Sequence, residues 1–321
     1  MEKLNVGVVG VGYFGWFHAE KYARIPDVDL IGVADIDEAR VREVADHFST
    51  RPFTDYRDLF NKVQAVSVAV PTLIHYQVAR DFIDNGVDVL LEKPMTTTPQ
   101  EAEALIEMAE EKKRILQIGH LERFNSAVAS LNGLLGDPLF IDSLRFSPFL
   151  ERAAQVDVVL DLMIHDIDII LSIVQSEVRS ISAVGVPVLS AHLDIANARI
   201  EFQNGCTANI TANRVSRKKM RQIRIFQDNG SFTIDFLSQK MRALRRKEDP
   251  DGPRIVSEQI EIDPTDALES EIYSFMQKVR DRTTPLVSGR NGKRALEVAL
   301  AITEQIHRNM ERRKNPDSPH V

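Results

Sequence analysis

Apolar residues in the first third of the chain come in short solid runs, and between the runs they recur every three or four positions. The runs at 4–9 (LNVGVV), 29–35 (DLIGVAD), 65–70 (AVSVAV), 87–91 (VDVLL) and 115–118 (ILQI) predict buried strands. The intervening segments predict helices at 16–24, 37–48, 75–85 and 99–113. Residues 37–48 place Val41, Val44, Ala45 and Phe48 on one face behind an acidic first turn, and 99–113 opens on proline. Strands alternating with helices of about a dozen residues mean βαβ units and a parallel sheet.

Past residue 120 the pattern changes. Helices are expected at 122–135 and 156–174, and strand patterns then crowd together. In 193–203, Ala196, Ala198, Ile200 and Phe202 alternate with Asn197, Arg199, Glu201 and Gln203. Asn204-Gly205 turns this strand into a partner at 206–212, and Asp228-Asn229-Gly230 joins 222–227 to 231–236. Closing helices are expected at 265–282 and 292–309, and the tail RRKNPDSPHV reads as disordered. The predicted fold class is therefore α/β in residues 1–120, followed by an α+β domain at 121–321 with a mostly antiparallel open sheet. One face of that sheet is apolar and belongs on helices. The other is polar, and is either solvated or set in a subunit interface, so a homo-oligomer is expected.

The whole composition narrows the function classes. At 321 residues with 43% hydrophobic and 27% charged positions, the chain is an ordinary globular sequence of about two domains. A net charge of −7 argues against nucleic-acid binding. One cysteine, Cys206, excludes an internal disulfide and a cysteine-based metal cluster. No apolar run is long enough for a membrane helix, and the first residues lack the pattern of a signal peptide, so a cytoplasmic address is expected.

The chemistry begins at Gly10-Val11-Gly12-Tyr13-Phe14-Gly15, which follows a predicted strand and opens a helix. Alone the spacing is a weak signal. Here Asp35 ends the second strand 20 residues past Gly15, the spacing of a dinucleotide site. Gly10 permits the tight turn, Gly12 lets backbone approach a pyrophosphate, and Gly15 lets the helix pack on the sheet. The N–H groups near Tyr13 and Phe14 receive phosphate charge. Asp35 accepts from ribose hydroxyls and repels a 2′-phosphate, which favours NAD over NADP. Pro71-Thr72 and Glu92-Lys93-Pro94 end the third and fourth strands on the same sheet edge, where ligands of open α/β sheets sit. Lys93 can reach a ligand from there.

A second constellation lies in VDVVLDLMIHDIDIILSIV, residues 156–174. As one helix it puts Asp161, His165 and Asp168 at i, i+4 and i+7 on a single face of an otherwise apolar segment. An imidazole beside a carboxylate is a competent general base, although a satisfied core histidine reads the same way. No further His, Cys, Asp or Glu set has familiar metal-ligand spacing, so no metal is expected. Arg123 and Asn125, in GHLERFN at the domain junction, are candidates for polar or anionic substrate groups. Arg214 and the run Arg217-Lys218-Lys219 are further candidates for a diphosphate. His18, His47 and His192 read as structural or exposed.

Taken together, Gly10–Gly15, Val70-Pro71-Thr72 with His75, Glu92-Lys93-Pro94 and Asp161-x-x-x-His165-x-x-Asp168 resemble the family of glucose–fructose oxidoreductase and inositol 2-dehydrogenase. The resemblance spans residues 4 to about 310. It implies a Rossmann domain followed by an open-sheet α+β domain, and oxidation or reduction of sugar or cyclitol carbons with NAD(P). It implies Lys93, Asp161 and His165 as the catalytic set, with Pro71, Thr72, His75, Glu92 and Lys93 beside the cofactor and Asp168 beside the substrate. Most members carry glycine where this chain has Met163 and Val158-Val159. The runs DLMIHDIDI, GHLERFN and DIANARIEF are similar to the branch of UDP-N-acetylglucosamine 3-dehydrogenases. That branch makes a 3-keto sugar for a transaminase, on the way to amide-linked lipid A. Dehydrogenases of cyclitols or free sugars share every motif, and a non-catalytic dinucleotide sensor is the remaining alternative.

Overall fold

The solid apolar runs build the first sheet. In the computed structural model, which describes residues 3–131, 133–150, 155–250 and 252–314, these are β1 (Leu4–Val9), β2 (Val28–Ala34), β3 (Arg51–Phe53), β4 (Ala65–Val68), β5 (Asp88–Glu92) and β6 (Leu116–Gly119). They pair in parallel in the order β3-β2-β1-β4-β5-β6, which brings the C-terminal ends of β1 and β4 side by side. The connecting helices are α1 (Tyr13–Arg24), α2 (Glu38–Phe48), α3 (His75–Asp84) and α4 (Pro99–Glu111). Their starts follow local chemistry. Asp37 caps α2 by accepting from the Arg40 N–H, and Thr98 and Glu101 form a reciprocal capping box ahead of Pro99 at the start of α4. Helix α1 begins three residues before the predicted start. The three-residue β3 carries too little pattern to be read from sequence.

The segment 122–135 is not one helix. A 3-10 turn covers Leu121–Phe124, and α5 is only Ser126–Ala129. Asn125 restarts the chain as the cap of α5, and Gly133 has a φ of +78°, outside helical conformation. Residues 156–174 also differ from a single α-helix. Val159–Met163 form a π-helical turn, and α6 (Ile164–Ile173) follows.

The second sheet contains β7 (Pro138–Phe146), β8 (Val178–Val186), β9 (Ile195–Phe202), β10 (Thr207–Asn213), β11 (Met220–Gln227), β12 (Gly230–Asp235), β13 (Lys240–Lys247) and β14 (Arg254–Ile260). The order is β14-β13-β12-β11-β7-β10-β9-β8, antiparallel except for the parallel β7–β10 pair. The predicted hairpins at Asn204-Gly205 and Asp228–Gly230 are in place. Strand β7 escapes sequence patterning because its inner row holds Ser143 and Arg145 beside Ile141. Strands β13 and β14 escape it because they are mostly charged and exposed.

Helices α7 (Ala267–Asp281) and α8 (Gly289–Lys314) complete the described chain. Ile272, Phe275, Met276 and Val279 form an apolar stripe on α7 and join Val6, Val8, Val33 and Tyr22 in one core. The two compact units are therefore not a single cut at residue 120. The first runs to Phe124 and regains Asp266–Leu296, while the second holds Asn125–Thr265 and the chain from Glu297. The end of the tail read as disordered lies outside the described residues, and its first residues belong to α8. No helix among the described residues is long and apolar enough to cross a membrane.

Candidate active site

The glycine loop shows why each glycine is needed. Gly10 has a φ of +81°, and a Cβ there would meet the Ala69 backbone at 2.7 Å. A Cβ on Gly15 would lie 1.8 Å from the Gly10 carbonyl oxygen, so only glycine lets α1 start this close to β1. A Cβ on Gly12 meets nothing within 4 Å. Gly12 also caps α1 without any side-chain bond, leaving the first-turn amides to another acceptor. Beside the loop, Gly12, Tyr13, Trp16, Phe17, Arg40 and Glu43 line a groove of about 440 Å³.

Asp35 follows β2 and is fastened to the loop. Its Oδ2 accepts from the Val11 N–H at 2.9 Å and its Oδ1 from the Asp37 N–H at 3.0 Å, with Arg40 Nη1 at 3.8 Å. Pro71 precedes a 3-10 turn at Thr72–Ile74, on which Leu73 is 84% exposed. His75, expected beside the cofactor, is instead buried. Its Nδ1 lies 2.8 Å from the Pro94 carbonyl oxygen and its Nε2 2.8 Å from that of Val70. It ties the two strand-end loops together. Burial pulls its pKa below the ordinary value, against the two carbonyls, which favour the charged ring.

Glu92 and Lys93 are half-buried at the end of β5. Glu92 Oε1 lies 3.1 Å from His18 Nε2, and its Oε2 accepts from the Lys93 N–H at 3.2 Å. Burial raises the Glu92 carboxyl, but the hydrogen bond and the charge of His18, followed by the charge of Lys93, bring it below the usual carboxylate range. Gly119, facing Glu92 across the strand pair, makes room for that carboxylate. A Cβ there would lie 3.2 Å from Glu92 Cδ.

In the second unit the π turn changes the expected face. Asp161 and His165 are both half-buried, and Asp168, expected beside the substrate, is 2% exposed. The π turn at 159–163 changes the spacing of Asp161 to His165, while His165 and Asp168 remain three residues apart in α6. Asp166, next to His165, accepts from buried Arg145 at 2.7 and 3.1 Å and from Ser143 Oγ at 3.0 Å. Asn125, expected on the substrate, is also buried. It caps α5 and donates to the Phe236 carbonyl oxygen at 3.4 Å. Arg214, a candidate for a diphosphate, is buried in a pair with Asp194 at 2.8 Å. Arg123 is half-buried, and Arg217, Lys218 and Lys219 are exposed.

Comparison with known proteins follows the same division. The model of the oxidoreductase family with an NAD-binding Rossmann fold matches residues 4–120, and the C-terminal domain of the same Gfo/Idh/MocA family matches 127–233. UDP-N-acetylglucosamine 3-dehydrogenase of Acidithiobacillus ferrooxidans is 36% identical over 315 residues, covering 97% of this chain and all of that one. Its solved structure superposes with a TM-score of 0.91 at 35% identity, covering 96% of this chain and 99% of the other. NAD-dependent scyllo-inositol 2-dehydrogenase of Bacillus subtilis is 25% identical, covering 96% and 95% of the two chains. The chain belongs to the Gfo/Idh/MocA oxidoreductase family.

As a member of that family it is an oxidoreductase with an NAD-binding Rossmann domain. The residues present fit a dinucleotide: open space over Gly12, an uncapped α1 amide end and the anchored Asp35 all lie in one unit. His18, read as structural, is buried with both ring nitrogens bonded, to Ser67 and Glu92. One group escaped the sequence reading. The Arg145–Asp166 pair under His165 had no local signal, because 21 residues separate its members.

Proposed function

We propose that this oxidoreductase oxidises the 3-hydroxyl of UDP-N-acetylglucosamine to a ketone with NAD as acceptor, preparing an amino sugar for amide-linked lipid A. The observation that carries the reading is identity of 36% across the full length of a relative with that activity, with no large insertion or loss in either chain. The more distant inositol dehydrogenase shares the fold over a similar span at 25% identity, which makes a cyclitol the second reading.

Bound nicotinamide would supply the hydride acceptor. The chain's own residues supply positioning and proton traffic. His165 takes the hydroxyl proton, Asp161 orients the imidazole, and the Lys93 ammonium steadies negative charge on the substrate oxygen. Gly10, Gly12, Gly15 and the amides of Tyr13 and Phe14 hold the pyrophosphate, with Pro71 and Thr72 beside it. Asp35 holds the ribose and disfavours a 2′-phosphate, so NAD is preferred. Arg123 and the exposed Arg217-Lys218-Lys219 run are left for the diphosphate. The outer face of the second sheet, with Phe140 stacked on Phe226 at 5.6 Å, supports self-association as a homo-oligomer. A cytoplasmic address goes with the single, buried cysteine.

The test is NADH formation with NAD and a panel of UDP-N-acetylglucosamine, UDP-glucose, UDP-N-acetylglucosaminuronate, myo-inositol and glucose, coupled to a transaminase and amino donor to draw off the ketone. Turnover confined to UDP-N-acetylglucosamine is expected. Turnover confined to inositol or a free sugar moves the reading to the second alternative.

A further inference from the structure

The first unit holds a cavity that neither the dinucleotide groove nor the proposed proton transfer uses. All six strands of its sheet run parallel, so the chain enters β6 on the edge opposite the one where β1 and β5 deliver Gly10 and Lys93. At that entry Ile115 and Leu116, with Ile106 and Ala109 of α4, make an apolar floor on which each residue is at most 9% exposed. The facing wall is the segment 282–290, which runs from the end of α7 into the first turn of α8. It is fastened to β6, because the Val287 carbonyl oxygen accepts from the Ile118 N–H at 3.0 Å. The space between floor and wall is about 720 Å³, and small-molecule clefts run to roughly 300–1,000 Å³. All of these residues belong to the first unit.

Four cations line the cavity, and their partners divide them. Arg282 holds buried Asp88 with both terminal nitrogens and also donates to the Lys113 carbonyl oxygen at 2.6 Å. Arg290 holds Glu110 with Nε at 3.1 Å and Nη2 at 2.7 Å. Carboxylates therefore match both of these charges. Arg114 donates only to carbonyl oxygens, that of Lys112 at 3.1 Å and that of Gly86 at 2.9 Å. Lys113 has a φ of +54°, at the left-handed position after α4 where glycine costs least. Among the described residues neither Lys113 nor Arg114 is paired with a carboxylate, in a chain whose net charge is −7.

We propose that this cavity is a second binding site, for a small organic anion whose acidic head meets Lys113 and Arg114 and whose apolar body covers Ile106, Ala109 and Leu116. The proposal stands apart from the reaction, since none of these residues is in the dinucleotide groove or the catalytic set. Each half of the ligand answers one half of the cavity. An apolar body gains affinity in proportion to the floor area it takes from water. An anionic head gains charge-assisted hydrogen bonds from cations that no carboxylate has neutralised. An inorganic anion collects only the second contribution and a neutral hydrocarbon only the first, so the class that fits is a phosphate, carboxylate or sulfonate carried on an apolar ring or branched chain.

The test is titration of the full chain with anilinonaphthalene sulfonate, an aromatic anion, followed by its fluorescence with NAD at saturation to keep the probe off the dinucleotide groove. Inorganic phosphate is titrated in parallel by calorimetry. One probe per chain should bind in the cavity. Lys113→Glu reverses a charge that no hydrogen bond of the fold uses, and should weaken the probe about tenfold. Thr284→Trp, at an exposed position on the wall, fills the space and should abolish that binding. Both are surface changes away from the reaction, so thermal unfolding should stay close to that of the unaltered chain and turnover should change less than about twofold. Probe affinity that is equal in the unaltered chain and in Thr284→Trp overturns the site, as does no binding to the NAD-loaded chain. Affinity unchanged in Lys113→Glu overturns the anionic head, and inorganic phosphate bound as tightly as the probe overturns the apolar body; either result overturns the proposal.

Discussion

The two units bury polar groups in opposite ways. In the first, the buried set is a chain of short-range hydrogen bonds, Tyr22–Ser67–His18–Glu92, contributed by elements whose order the parallel sheet dictates. In the second, two full ion pairs are buried. Arg145 grips Asp166 and Arg214 grips Asp194, with all four residues at most 2% exposed. Both pairs hold the helical segment carrying Asp161 and His165. Asp166 is the residue after His165, and Arg214 also donates to the Val156 carbonyl oxygen just upstream of the π turn. The first unit thus sets its functional groups by backbone motif, while the second sets them by distant charges locked under a helix. Such pairs add little net stability when intact, but removing one partner strands a buried charge.

The largest effects test whether both units contribute chemistry. Lys93→Met in the first and His165→Asn in the second should each lower kcat by about two to four orders of magnitude, while NAD still binds. Stopped-flow turnover and NAD titration by fluorescence separate the two. Near-normal turnover in one variant would confine catalysis to the other unit.

Next come the ion pairs. Arg145→Met should cost about 3–5 kcal/mol, read by thermal unfolding. The double variant Arg145→Met with Asp166→Leu should recover most of the loss, because no lone charge remains. Asp194 adds a pH signature. Burial raises its carboxyl, but N–H donors from Ser190, Leu189 and Val188 and the Arg214 guanidinium hold it far below the usual range. Since the folded-state value is depressed, the stabilisation is complete above the ordinary carboxylate pKa and is lost as pH falls below it. Asp194→Asn should flatten that acid dependence of Tm. Glu92 has the same sign by the same argument. No such motif-scale event is expected at Asp35: Asp35→Ala should weaken NAD about tenfold and narrow its advantage over NADP, from the loss of charged hydrogen bonds of about 1.5–3 kcal/mol.

This contrast also explains what the sequence could and could not reveal. Apart from the short edge strand β3, the first sheet was legible because its strands are solid apolar runs, and Gly10, Gly12, Gly15 and Asp35 sit at fixed spacing in local backbone geometry. The place of Lys93 was legible because it follows the end of such a strand. The second unit was harder for a physical reason. The inner row of β7 contains Arg145, whose burial depends on Asp166 in a later helix, so its alternation looked polar. The π turn at 159–163 has no sequence signature of its own, and a regular helix therefore misjudged the spacing of Asp161 to His165. The burial of His75 between two carbonyls was not legible, because a ring that bonds carbonyls inside a turn and a ring that faces a ligand have the same sequence context.

The smallest expected effects sharpen the comparison at the join of scaffold and site. Asn125 was a candidate substrate ligand because it stands with Arg123 in GHLERFN at the expected domain junction, yet its amide oxygen caps α5 and its amide nitrogen reaches Phe236. Thr98, in the first unit, has a cap of the same kind at α4, with no chemistry attached. If both are scaffold, Asn125→Ala and Thr98→Ala should each cost about 1 kcal/mol of stability, and the sugar KM should stay within about twofold, a difference of under 0.5 kcal/mol. A roughly tenfold rise in KM for Asn125→Ala alone, about 1.4 kcal/mol, with unfolding unchanged, would return Asn125 to the substrate. The two caps would then differ in function although both are side-chain caps at helix starts, and burial would lose its force as the argument against a binding role in the second unit.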